Sequence, residues 1–158
     1  MLPLLLAADE RPQGPLSHIH RAAVVPASID ETFAFFSDAS NLERLTPPWL
    51  RFTIRTPLPI DMREGTIIDY RVTLRAVPVR WRSRIDAWEP GVRFVDRQMA
   101  GPYLWWRHEH RYERLAAGTR VTDHVEYLPR LRFFSHRLVA RDLARIFDYR
   151  GQVLQRIL

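Results

Sequence analysis

The chain has 158 residues, of which 46% are hydrophobic, enough for one domain with a sizeable core and no need of cross-links. It has no cysteine, which excludes disulfides and thiolate metal centres. All 24 cations are arginine, dispersed from Arg11 to Arg156 with a net charge of +6, so the excess reads as a solvated surface and no nucleic-acid partner is expected.

The first 16 residues carry a short apolar run, but it lacks a basic leader and is too brief to span a bilayer. They are read as a flexible leader (1–16) to a cytoplasmic chain without integral membrane association. From Ser17, HIHRAAVVP predicts a strand that stops at Pro26, whose missing N–H suits a strand end. Ser28, with Glu31 three residues on, forms a capping-box start for a first helix that buries Ile29, Phe33 and Phe36. A second short helix runs from Asn41 to Leu45 and is stopped by Pro47 and Pro48. Beyond them, Trp49 reads as a gate over a cavity mouth.

After the double proline the hydrophobic period changes to two, which predicts strands at 52–56, 66–76, 79–87, 92–99, 104–114 and 120–128. The turn signals between them include Val77-Pro78, Glu89-Pro90-Gly91, Gly101-Pro102 and Ala117-Gly118. Short consecutive connections imply an antiparallel meander. Ile68, Tyr70 and Val72 alternate with Asp69, Arg71 and Thr73, so one face is covered and the other carries ions into water. Arg80, Arg82, Arg84, Arg107 and Arg111 are interspersed with Asp69, Asp86, Glu109 and Glu113, which favours cross-strand ion pairs over an anion-binding patch. The chain ends in helical spacing through Leu143, Phe147, Leu154 and Ile157, with Tyr149 and Arg150 read as anchors of that helix. The fold class is therefore α+β: a curved antiparallel sheet of about seven strands wrapped around a long C-terminal helix. The gap such a sheet leaves against its helix suits a small ligand.

PASIDETFAFFSDASNLERLTPP, FVDRQMAGPYLWWRHEHRYE, GTRVTDHVEYLP and IFDYRGQVLQRIL together resemble the SRPBCC superfamily, over about residues 17–158. The match is closest to a bacterial branch sometimes called cell-division-inhibitor-like. The resemblance implies the helix-grip fold of START lipid-transfer domains, pollen-allergen-like carriers and polyketide cyclases. It implies no single activity. The segment RLRFF at 130–134 departs from relatives, which tend to have a glycine-containing loop there, and predicts a bulkier, more basic entrance beside the last helix.

On the strand WWRHEHRY, Trp106, His108, His110 and Tyr112 share one face, while Trp105, Arg107, Glu109 and Arg111 share the other. Tight hairpins place Asp96 opposite His108 and Asp123 opposite His110. The covered face then holds Asp96, Gln98, His108, His110 and Asp123 among Tyr70, Trp81, Phe94, Trp106, Tyr112, Tyr127 and Phe147, all read as ligand-binding candidates. The simplest account is a buried network that fixes strand register. The second is a polar end wall orienting a hydrophobic or aromatic small molecule or lipid, the partner the chain is expected to take. As an enzyme, the same side chains, His108, His110, Asp96 and Asp123, would be the candidates for proton transfer in cyclisation or dehydration. Binding is preferred because nothing local demands chemistry. A metal is a third account, since His-x-His spaces two ligands about 6.6 Å apart. It ranks last, and no metal or cofactor is assigned. His18, His20, His124 and His136 show no constellation. A protein-interaction module, docking by the open sheet face or the leader, is the remaining alternative.

Overall fold

The computed structural model describes residues 4–130 and 135–158. Most of the RLRFF segment thus lies outside the described residues. The elements are β1 (Ser17–Val25), α1 (Ile29–Ser37), α2 (Asn41–Leu45), a 3-10 turn (Pro48–Leu50), β2 (Thr53–Ile54), β3 (Ile67–Leu74), β4 (Val77–Glu89), β5 (Arg93–Ala100), β6 (Tyr103–Leu115), β7 (Gly118–Pro129) and α3 (His136–Ile157). The seven strands form one antiparallel sheet in the order β1-β7-β6-β5-β4-β3-β2. This is the α+β helix-grip fold.

Local chemistry sets each helix. The Ser28 hydroxyl accepts from the Glu31 backbone N–H, and the Glu31 carboxylate accepts from the Ser28 N–H, which completes the capping box of α1. Ser135 caps α3 by accepting from Leu138 N–H. α3 lies along the concave face with Val139, Leu143, Phe147, Arg150 and Leu154 buried. Two charged clamps tie it to opposite parts of the sheet. Arg21 of β1 donates to Asp148 at 2.8 Å, and Arg75, in the β3–β4 turn, binds Asp142 with two bonds of 2.9 Å.

The sheet curves because its ladder is interrupted. Register shifts fall between Arg82 and Ser83, between Ile85 and Ala87, and between Tyr103 and Trp105. An extra residue on one strand bends it and sharpens its twist. The last of these also breaks the simple alternation of β6. Tyr103 and Trp106 both enter the core, and Trp105 is buried on the other face under the Arg97 guanidinium, 5.4 Å from its ring centroid.

Three expectations are corrected here. The β3–β4 turn is Arg75-Ala76, both at positive φ (46° and 67°), and Val77-Pro78 already belongs to β4. A two-residue hairpin needs that left-handed pair, and Pro78 lies beyond the part of β4 that β5 covers, so no ladder bond to β5 is lost. The strand expected over 52–56 shrinks to Thr53–Ile54. Part of the segment read as a flexible leader is held against the sheet, since Ala7 N–H donates to Met99 O, Ala8 N–H to Leu104 O, and Gly101 N–H to Leu5 O. The strand ends there left backbone groups free, and the leader satisfies them.

The outer face carries the ion pairs expected of it. Asp69 and Arg82 are directly opposed and bind at 2.7 and 2.9 Å, and Glu109 takes contacts from Arg93, Arg107 and Arg111. His18, His20 and His124, which showed no constellation in the sequence, are brought together across β1 and β7, with His18 and His124 stacked. Among the described residues no helix is long and apolar enough to cross a membrane.

Candidate functional site

The core divides into two apolar clusters with a belt of polar side chains between them. One contains Trp81, Trp106, Val125, Leu143 and Phe147; the other contains Phe36, Phe94, Tyr112, Val121 and Leu154. On β6 the belt is His108 and His110, between Trp106 and Tyr112. On β7 it is Asp123, on β5 Asp96, and on α3 Arg150, between Phe147 and Leu154. All but Asp96 are buried, and Asp96 keeps 17% of its side chain exposed.

The backbone register is the one the hairpins predict: Asp96 faces His108 and Asp123 faces His110. The hydrogen bonds, however, run crosswise. His108 Nε2 lies 2.8 Å from Asp123 Oδ1, and His110 Nε2 lies 2.8 Å from Asp96 Oδ2, while the directly opposed pairs stand at 3.8 and 3.3 Å. The reason lies in side-chain direction. The two imidazoles lean on each other, 3.7 Å between centroids, and the Phe94 ring stacks on His110 at 4.0 Å, which turns each ring toward the diagonal carboxylate.

Arg150 completes the network. Its Nε donates to Asp123 Oδ2 at 2.9 Å and its Nη2 to His110 Nδ1 at 3.2 Å, and its guanidinium sits over the Phe36 ring. Burial alone would raise the Asp123 carboxyl, but Arg150 and the hydrogen bond from His108 outweigh it and hold the acid well below the usual carboxylate range. Asp96 behaves similarly: burial opposes ionisation, and the His110 hydrogen bond with the nearby positive charge of Arg150 overcomes it. Burial, helped by the neighbouring His110, pushes His108 down to about 4 against the pull of Asp123, so at neutral pH it is uncharged. Both carboxylates thus stay ionised, and the Arg150 guanidinium is bound to one of them, Asp123.

Beside this belt lies an open-mouthed cavity of about 180 Å³, lined mostly by apolar side chains of the sheet, α1, α2 and α3. Of the candidates read from sequence, Tyr70, Trp81, Phe94, Asp96, Trp106, His108, His110 and Phe147 line it. Gln98, Tyr112, Asp123 and Tyr127 do not. Gln98 is spent on the β5–β6 turn, donating to Tyr103 O and accepting from Tyr103 N–H, with Gly101 too close to allow a Cβ. Tyr112 and Tyr127 are packed into the two core clusters, and Asp123 stands behind the histidines. Trp49 does not line the cavity either; it packs on Tyr149 and Arg145 of α3.

Sequence reasoning missed Arg150 as part of the site, along with Tyr103 and Ser83. The signal for Arg150 was present: it occupies a position of the apolar stripe of α3, three residues after Phe147 and four before Leu154, where a charge needs a buried partner. Ser83 accepts from Trp81 Nε1 at 3.0 Å and lies 3.1 Å from the Tyr70 hydroxyl, a smaller polar group on the same wall. Asp96, His108 and His110 each bring one ligand-type atom within 4.8 Å of the others. Hydrogen bonds to the two carboxylates already account for the placement of both rings.

No family model matches the sequence, and no curated protein does. Solved structures do match. The aromatase/cyclase Zhui from Streptomyces sp. R1128 aligns with a TM-score of 0.66 at 18% identity, over 91% of this chain and 97% of that one. A START superfamily protein from Mycobacterium smegmatis aligns at 0.67 and 12% identity, over 87% and 94%. The crystal structure of Ara h 8.0201 aligns at 0.63 and 11% identity, over 89% and 96%. The chain has the helix-grip fold of SRPBCC proteins.

Arg150→Met leaves the buried Asp123 carboxylate without its cationic partner, held by the His108 hydrogen bond alone, and should lower stability by about 3–5 kcal/mol in urea denaturation. Adding Asp123→Asn removes the orphaned charge and should recover more than half of the loss. The pH dependence follows from His108. Its folded value of about 4 lies below the ordinary 6.5, so between these the unfolded chain binds the extra proton and stability falls as pH drops through that window. His108→Gln keeps a donor toward Asp123 without the titration, and its unfolding midpoint should fall less steeply than wild type from pH 6.5 to 4.

Proposed function

We propose that the chain binds a hydrophobic or aromatic small molecule or lipid in the cavity between the sheet and α3. The observation that carries this reading is the composition of the wall. Tyr70, Trp81, Trp106, Phe52, Leu143 and Phe147 present a broad apolar surface, and one end of it ends in Asp96, His108 and His110. Apolar walls with a few convergent polar groups are the usual make-up of a small-molecule site. A purely structural polar network has no need of an open mouth or of aromatic rings left around an empty space. The likeness in fold to START and aromatase/cyclase structures supports the same reading.

The test is a neutral apolar probe, N-phenyl-1-naphthylamine, with a blocked variant. Ile146 lines the cavity from α3 and is only partly buried, so Ile146→Trp fills the space at little cost to the core. Probe affinity should fall at least tenfold while the thermal midpoint stays within a few degrees. Equal affinity in wild type and variant would count against the cavity as the binding site.

A cyclase or dehydratase is the second reading, and one feature favours it. His108 donates through Nε2 to Asp123, keeps its other nitrogen unbonded among the described residues and lines the cavity, and a carboxylate partner of that kind fixes the tautomer of an imidazole base. Under this reading His108→Gln abolishes turnover of a linear poly-β-ketone thioester without unfolding the chain, and unchanged turnover removes His108 as the base.

A further inference from the structure

The polar end of the cavity keeps two acceptors without a hydrogen-bond partner among the described residues. His108 Nε2 faces a carboxylate at 2.8 Å, so that nitrogen carries the hydrogen, and the neutral ring leaves Nδ1 as a lone pair. Nδ1 makes no hydrogen bond within the described residues; Asp96 Oδ2 stands 3.8 Å away, too far for one and itself an acceptor. His110 donates from Nε2 to Asp96 Oδ2 and accepts at Nδ1 from Arg150; the 3.3 Å approach of Asp123 Oδ1 to that nitrogen lacks hydrogen-bond alignment. Among the described residues no donor reaches Asp96 Oδ1, on a side chain that lines the cavity and keeps part of its surface open.

Other polar atoms of the wall belong to Ser83, Tyr70, Tyr103, Trp106 and Arg150. Ser83 accepts the Trp81 N–H and shares a bond with the Tyr70 hydroxyl, which leaves one spare neutral O–H between them. Arg150 lines the cavity too, but its charge is committed to Asp123 and its guanidinium lies over Phe36, its carbon 5.2 Å from the ring centroid. The belt therefore sets the carboxylates of Asp96 and Asp123 beside an aromatic wall, with Arg150 bound to Asp123 and not to Asp96.

We propose that the cavity takes an aromatic ligand whose polar end is a hydrogen-bond donor, best of all a protonated amine, presented to Asp96 Oδ1 and His108 Nδ1, and that it discriminates against carboxylates. This rests on the reading of the cavity as a ligand site. A charge-assisted bond to Asp96 is about twice as strong as a neutral one. The faces of Trp81 and Trp106 favour a nearby cation, whereas a carboxylate would meet Asp96 in a desolvated space. Size sets the scale of the ligand: an apolar cavity of about 150 Å³ holds benzene. The 180 Å³ here, with its open mouth, accommodates a one- or two-ring body.

Three probes of one shape decide the matter: 2-naphthylmethylamine, 2-naphthalenemethanol and 2-naphthoate, titrated by calorimetry into the full chain at pH 7. The amine should bind at least tenfold more tightly than the carboxylate, with the alcohol between them. A smaller margin or the reverse order overturns the proposal and leaves the cavity reading standing, whereas failure of all three to bind removes both. Asp96→Asn should cut amine affinity at least tenfold and change alcohol affinity less than threefold. An amine preference that survives in a folded Asp96→Asn protein overturns the assignment to Asp96, and if that variant does not fold, the wild-type order alone decides.

Discussion

The bond from Arg150 to Asp123 joins the long helix to the centre of the sheet, and the site depends on it. A guanidinium and a carboxylate, both nearly out of water, are tolerated only as partners, because each alone would carry a desolvation cost of several kcal/mol. That requirement fixes the rotation of α3 about its axis and its position along the sheet. Once α3 is so placed, Leu143 and Phe147 fall on one side of the polar belt and Leu154 on the other. The helix cannot slide by a turn without orphaning both charges.

The same bond shapes the chemistry of the belt. Asp123, held by Arg150, accepts from His108 and keeps that ring in one tautomer, and Arg150 does the corresponding work for His110 by occupying Nδ1. The rings then stack, and Phe94 closes the stack from the β5 side. What the network leaves unbonded includes an oxygen of Asp96 and a nitrogen of His108, both on side chains that line the cavity. A buried network that satisfied every member would be a register device and nothing more. Here the network leaves polar atoms without partners, and its members Asp96, His108, His110 and Arg150 line the cavity together with aromatic rings.

Curvature separates a cavity from a core. Bulges at Arg82/Ser83 and Ile85/Ala87 bend β4 against β5, and the irregularity at Tyr103/Trp105 brings Tyr103 and Trp106, three residues apart, to the same face. Trp81, Tyr103 and Trp106 form an edge-to-face set that stiffens the wall. The clamps Arg21–Asp148 and Arg75–Asp142 hold α3 from two sides of that curved surface, so the helix bridges the sheet rather than sinking into it.

Much of this was legible in the chain. Period-two alternation through 66–128 and the helical stripe from Leu143 to Leu154 are local consequences of which face meets water, and they dictate the strands, the last helix and the face that carries both histidines. The capping box at Ser28 and Glu31 marks its helix by the same local logic. Loop lengths even set the register that opposes Asp96 to His108 and Asp123 to His110. Other features depend on atoms distant in sequence. Which carboxylate each imidazole chooses follows from ring stacking against Phe94, and the docking of Leu5 to Ala8 follows from free backbone groups at the β5–β6 end. Arg150 enters the site because α3 settles at one rotation against β7. Residue type and spacing determined the sheet, the helix and the imidazole face, because those answer to solvent alone; the partners within the belt and the space beside it were decided by packing, because only in the folded chain do buried charges meet.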